Sequence, residues 1–316
     1  MSKSYTPPVA DLLTYEESHS VQSGEWPNYI EAFGFTKEHI PELLKLVQDD
    51  IILKLFLDKE ETEVPADIDP ELAWAALIHA WRALAQLQAT DFVDVAIQLL
   101  ETYQFEWMMQ EFPTVFKLIG PSAIEPLAAV LQDQSSERFE RMTYSESLKH
   151  IGQEYPEERD RCVTYLTNTL ENHQDNDPSL NGSLTWSLID LKAVESAGVI
   201  EAAYAAESVD EMFAGSWPNV QVELGLKQRE EFTEEELKPK LNPEFERMRE
   251  MIEAFKRSRK PSALELGLPV DPSTYSLDDP SGFKTLLPDT ARKNDSKKKG
   301  FDTTQKKGKK KGKKKR

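Results

Sequence analysis

A chain of 316 residues with 39% hydrophobic content can bury a sizeable core, and no apolar run approaches the roughly 18 residues a spanning helix needs, so it reads as soluble. Its single cysteine, Cys162, excludes internal disulfides and fits a reducing compartment, with the cytoplasm as the default. The formal net charge of −18 divides into about −30 on residues 1–290 and about +12 on residues 291–316.

The N-terminus, Met1-Ser-Lys-Ser-Tyr-Thr-Pro-Pro8, has no apolar h-region, and no secretory signal is expected. Residues 1–68 read as a helical lead-in to a series of helix pairs over 69–205. Asp69 is placed to cap the first helix, with Pro70 at its first position. Trp74, Leu77, Ile78, Trp81, Leu84 and Ala85 form its apolar stripe. Phe92, Val95, Ala96, Leu99, Leu100 and Tyr103 mark its partner, with Thr90 or Asp91 available as a cap.

The clearest unit comes next. Phe112, Val115, Phe116 and Ile119 stand at i, i+3, i+4 and i+7, and after a Gly120-Pro121 corner the spacing returns at Ile124, Leu127, Ala128 and Leu131. Neither helix buries that stripe alone, whereas stacking on similar pairs would, which is the logic of an α-solenoid. A third pair runs through Leu148 and Ile151-Gly152, 32 residues after Ile119-Gly120, to Cys162, Val163, Leu166 and Leu170. The fourth uses Leu184, Leu188 and Leu191, then Ile200 and Tyr204, and is reached across a turn-rich stretch from Asp175 to Gly182.

Residues 206–260 read as a capping segment and one last helix, capped by Asn242, started by Pro243 and striped with Phe245, Met248, Ile252 and Phe255. Residues 261–290 hold Pro261, Pro269, Pro272, Pro280 and Pro288 and read as an extended linker. Residues 291–316 are Lys-rich with almost nothing to bury, which predicts disorder. The expected fold class is therefore all-α, a solenoid of helix pairs with a disordered C-terminal tail.

The apolar-Gly step followed by Ala-Ile-x-Pro-Leu and a later Asp resembles the short HEAT-like repeats named after phycobilisome lyases. Ile119, Gly120, Ala123, Ile124, Pro126, Leu127, Leu131 and Asp133 carry the resemblance. From Trp26 to Arg229 the chain resembles an uncharacterised family of bacterial HEAT-repeat proteins, through Gly34-Phe35-Thr36, His39-Ile-Pro-Glu-Leu-Leu44, His79-Ala-Trp-Arg-Ala-Leu84, Phe112-Pro113 with Ile119-Gly-Pro121, Asp190-Leu-Lys-Ala-Val-Glu195, Val209-Asp210, Gly215-Ser-Trp217 and Glu223-Leu-Gly-Leu226. Members of such families often finish with a zinc-binding SEC-C motif. Arg292-Lys-Asn-Asp295 and the later lysines resemble its flanks, but its cysteines are absent, so no zinc is expected there.

Candidate sites are few. His79 falls off its stripe beside Arg82, and a boundary or groove position would let the two contact a partner; no positioned acid or nucleophile accompanies His79 for base catalysis. No histidine pair stands at the i, i+4 spacing of a helical zinc site. Cys162 shares a packing stripe, and Glu157-Glu-Arg-Asp160 and Glu234-Glu-Glu236 suit the first turns of helices. Tryptophans at helical spacing read as core. Trp217, in Gly215-Ser-Trp-Pro218, lies outside a helical pattern and reads as a cap on the last repeat or an anchor for a partner. Lys297, Lys298, Lys299, Lys306, Lys307, Lys309, Lys310, Lys311, Lys313, Lys314, Lys315 and Arg316 are candidates for polyanion binding.

No catalytic, cofactor or metal residue is nominated. The expected function is a non-enzymatic cytoplasmic scaffold that binds protein partners on an acidic helical surface, with a basic tail for electrostatic capture. The lyase-type repeats imply an alternative, an accessory of phycobiliprotein maturation or degradation. A second alternative is a ribosome- or RNA-associated factor anchored by the tail.

Overall fold

The computed structural model describes residues 5–15, 26–58, 63–66, 68–240, 247 and 251. Among them helices are the only regular secondary structure, and no single helix is long and apolar enough to cross a membrane. The chain divides into two units, 1–246 and 247–316. Of the helix expected after Asn242, only Arg247 and Met251 are described, both helical and exposed. Residues 261–316, with the linker and all the candidate lysines, lie outside the described residues.

A 3₁₀ turn over Val9–Thr14 opens the first unit, followed by α1 (Tyr29–Phe33), α2 (Ile40–Val47) and α3 (Asp50–Leu57). Asn28 accepts a hydrogen bond from Glu31 N–H, and Asp49 accepts from Ile51 N–H at 2.9 Å, so the starts of α1 and α3 are fixed by side-chain caps. Val9, Leu12, Tyr29, Leu43 and Leu46 are fully buried in the same apolar cluster as the later helices. Asp69 caps α4 (Pro70–Ala73) through Glu71 N–H at 2.9 Å. The single helix expected from Asp69 is interrupted at Trp74-Ala75, where Ala75 N–H closes a tight turn on Leu72 O, and α5 (Ala76–Gln86) starts afresh. In α6 (Phe92–Tyr103), Asp91 occupies the cap position without a side-chain bond, and Tyr103 is exposed.

The Gly120-Pro121 corner is present. Helix α7 (Glu106–Ile119) turns by 117° into the segment containing α8 (Ile124–Gln132). Gly120 has φ +93°, which disfavours any L side chain, and a Cβ there would lie 3.0 Å from the Tyr155 hydroxyl. Pro121 then starts a 3₁₀ turn, Pro121–Ala123. The arrangement recurs. Pro156–Glu158 joins α9 (Arg138–Glu154) to α10 (Arg159–Glu171), and Val194–Ser196 joins α11 (Pro178–Asp190) to α12 (Ala197–Ala205). The three 3₁₀ turns begin 35 and 38 residues apart. Two glycines differ from expectation. Gly152 is not a corner but sits inside α9, against Leu191 and Cys162. Gly182 is not in a turn but inside α11, whose true start is Asp177, capping through Ser179 N–H at 2.8 Å.

Two short helices complete the unit, α13 (Glu211–Ala214) and α14 (Trp217–Glu223). Helices α5, α7, α9, α11 and α13 each pack on the next, while α6, α8, α10 and α12 form a second row on the same plan. The centre of the first row is α9, the longest helix at 17 residues, which touches α7, α8, α10 and α11. Its buried residues mix Tyr144, Leu148 and Ile151 with small polar groups. Ser147 Oγ and Thr143 Oγ1 donate back to the carbonyls of Thr143 and Phe139, and Ser145 Oγ pairs with Ser187 Oγ of α11 at 3.0 Å.

Joints between pairs are made by buried polar side chains. Arg141 Nε donates to Leu131 O at 2.8 Å and its Nη2 to Asn176 Oδ1 at 3.1 Å. Asn176 Nδ2 in turn donates to Thr169 O and Asn181 Oδ1, and Asn181 Nδ2 to His173 O and Ser208 O. These loop and helix-end carbonyls thus receive side-chain donors.

The close approach of α11 to the start of α13 yields a test. A Cβ on Gly182 would stand 2.7 Å from Asp210 O and 3.0 Å from Phe213 Cβ, whereas one on Gly198 meets nothing within 4 Å. Gly182→Ala is therefore expected to destabilise by about 1–3 kcal/mol through overpacking. Gly198→Ala is expected to be neutral or to stabilise by up to about 1 kcal/mol through helix propensity. Urea titrations of the two variants measure the contrast, and equal midpoints would refute it.

Candidate functional site

His79 and Arg82 are inside the protein and not at a boundary. Both are 0% exposed, because α5 is covered by the Val9–Thr14 segment, α1, α2 and α7. A helix enclosed on all sides has no polar face to present. His79 Nδ1 lies 2.7 Å from the Tyr29 hydroxyl, and its ring meets Tyr15 edge-on at 5.0 Å. Burial pushes Tyr29 up to about 12, opposed by the nearby Arg82, so the phenol keeps its proton at neutral pH. Arg82 forms a buried ion pair with Glu111 of α7, Nε to Oε2 at 3.0 Å with a second bond from Nη2 to Oε1. The same carboxylate accepts from Trp81 Nε1 at 2.7 Å and Trp107 Nε1 at 2.8 Å. This cluster clamps α5 to α7 and offers nothing to a partner's surface.

Trp217 begins α14, contrary to its expected position outside a helix, and is partly buried. Its ring lies 5.7 Å from that of Tyr204, whose hydroxyl donates to Gly215 O at 2.7 Å. Ser216 Oγ and Asn219 Nδ2 reach the carbonyls of Glu236 and Leu237. These contacts tie the start of α14 to α12 and to the segment around Glu236 and Leu237. Cys162 is fully buried, and burial pushes its thiol up to about 12, which removes it as a nucleophile at neutral pH. Among the described residues no group of three or more His, Cys, Asp or Glu side chains is placed to hold a metal ion.

The surface feature that stands out was not singled out from sequence. On the outer side of the α7, α9, α11 and α13 row lies an open groove of about 620 Å³. Its apolar walls are Met109, Phe139, Met142, Trp186, Met212 and Phe213. Phe139, Trp186 and Met212 are 55%, 45% and 46% exposed, unusual for such large apolar groups. They come from three successive helices, α9, α11 and α13. Trp186 had been grouped with the core tryptophans, yet it falls two residues from both Leu184 and Leu188 and so on the opposite face of α11. That offset was the available signal.

Polar groups on the groove are mostly committed to each other. Lys149 Nζ sits 3.5 Å from both Glu146 Oε1 and Asp190 Oδ2, with its side chain 8% exposed. Arg138 stacks over the Phe139 ring at 4.5 Å and pairs with Asp177 at 3.1 Å. Glu106 is exposed on the rim, and Glu146 is half-exposed. Comparison with known proteins finds no match, whether to a family model, a curated sequence or a solved structure.

Proposed function

We propose that this protein is a non-enzymatic scaffold, an α-solenoid of HEAT-like helix pairs that binds a protein partner in the groove across α7, α9, α11 and α13, while the basic tail captures polyanions. The observation that carries the reading is the convergence of Phe139, Trp186 and Met212 on one groove. Aromatic and methionine side chains are the groups most enriched at protein interfaces and most adaptable to a partner's shape. The recurrence of 3₁₀ corners and the two rows of helices support a stack of repeats. The tail's part rests on its charge alone, since lysines that neutralise phosphates release counterions.

A photo-crosslinking residue placed at position 139 or 186 in the native host tests the scaffold reading. One protein species should be captured from both positions and not from position 30, where Ile30 is exposed away from the groove lining. Repeating the capture without residues 291–316 separates the groove's partner from RNA held by the tail. No species enriched at 139 and 186 over 30 would overturn the proposal.

A further inference from the structure

The groove's exposed side chains are spread in a row, one to a helix. Packed helices lie about 8–10 Å apart, so Phe139, Trp186 and Met212 present anchors too widely spaced for one small ring to touch together. A polypeptide crossing the helices spans that distance in about three extended residues per step, at roughly 3.3 Å each. The occupant is therefore a chain segment with repeated apolar side chains.

Its charge follows from the rim. Lys149, which lines the groove, and Arg138, which stacks on its Phe139 wall, already face carboxylates, leaving Glu106 and half of Glu146 open to solvent. The unit that holds them, residues 1–246, carries a net charge of about −30. An acidic segment approaches against this field and a basic one along it. Two copies of the acidic body repel each other, which argues against a second copy as the occupant.

Resting on the reading of the groove as the binding face, we infer that its ligand is a basic segment of a partner protein whose large apolar side chains enter between Phe139, Trp186 and Met212. The probe is a fluorescein-labelled peptide of about 15 residues, with a leucine at every third position to match the extended spacing and lysines between them. Two controls replace every lysine by glutamate or every leucine by serine. Anisotropy is read with the full chain and with the Phe139→Ser/Trp186→Ser variant, whose changes lie on half-exposed groups and should leave the helical circular dichroism intact. The Leu/Lys peptide should lose at least about tenfold in affinity on the variant, as expected for truncated aromatic anchors. Neither control should show binding that the variant weakens. Attraction of the Leu/Glu peptide to the lysine tail is insensitive to the variant and is removed by this comparison.

Equal, variant-sensitive binding of the Leu/Glu and Leu/Lys peptides would overturn the assignment of charge while sparing the groove. Leu/Lys binding that the variant leaves unchanged, or none below about 1 mM, would overturn the inference. Crosslinking at positions 139 and 186 then decides separately whether the scaffold reading falls with it.

Discussion

Replacing Glu111 with alanine is expected to destabilise the fold by about 3–5 kcal/mol, the usual cost of stripping one partner from a buried ion pair. The reason is the number of donors that one carboxylate satisfies. Arg82 contributes two hydrogen bonds, Trp81 and Trp107 one each, and both members of the ion pair are 0% exposed. Alanine takes from a guanidinium and two indole N–H groups the acceptor they share, with Arg82 and Trp81 fully buried and Trp107 partly so. A domain of this size holds only about 5–15 kcal/mol in total, so much of the population should unfold under mild denaturant. Arg82→Met combined with Glu111→Leu removes both charges and should recover part of the loss. Urea unfolding followed at 222 nm measures all three proteins. A Glu111→Ala midpoint within about 1 kcal/mol of wild type would show that the cluster does not hold α5 to α7.

Leu127→Asp acts on apolar packing and should spread further. Leu127 is 0% exposed on α8, which packs against α9. Losing its burial costs about 2–3 kcal/mol, and a carboxylate placed there adds a desolvation penalty of several more. Because α9 also supports α7, α10 and α11, the damage should not stop at one helix. Hydrogen exchange should show protection lost across α7–α10 together. Loss confined to α8 would mean that the rows are held by independent pairs and not by a shared core.

Much of this fold could be read from residue spacing. Helices with a polar outer face, such as α7 and α8, declared their inner stripes at Phe112, Phe116, Ile124 and Leu127, all fully buried. Two kinds of helix were less legible. Helix α5 is enclosed, so His79 and Arg82 looked peripheral only because they interrupt an apolar stripe. Helix α9 buries Thr143, Ser145, Ser147 and Lys149, and a periodicity search weighted towards large apolar groups sees only its Leu148 and Ile151. The groove was hidden for a related reason. Its walls come from four helices distant in sequence, and no local pattern records that Phe139, Trp186 and Met212 will line one groove. Glu111 was missed as well, since an acidic residue beside an apolar stripe has no sequence signal for a partner 29 residues away.

The joint at Asn181 also bears on how the protein ages. Asn181 is followed by Gly182, a pair whose backbone in a flexible chain readily cyclises to a succinimide and opens to aspartate or isoaspartate, because glycine does not hinder the attacking nitrogen. In the native state the helical geometry of α11 opposes cyclisation, and the Asn181 amide is held by three partners, Asn176 Nδ2 and the carbonyls of His173 and Ser208. Each unfolding excursion lifts that protection. Once converted, the residue points a second carboxylate oxygen at two carbonyl oxygens in a buried site, where no donor remains to receive it. Deamidation at this one position therefore turns a reversible opening into permanent damage, and the folded lifetime of the chain is coupled to its chemical lifetime.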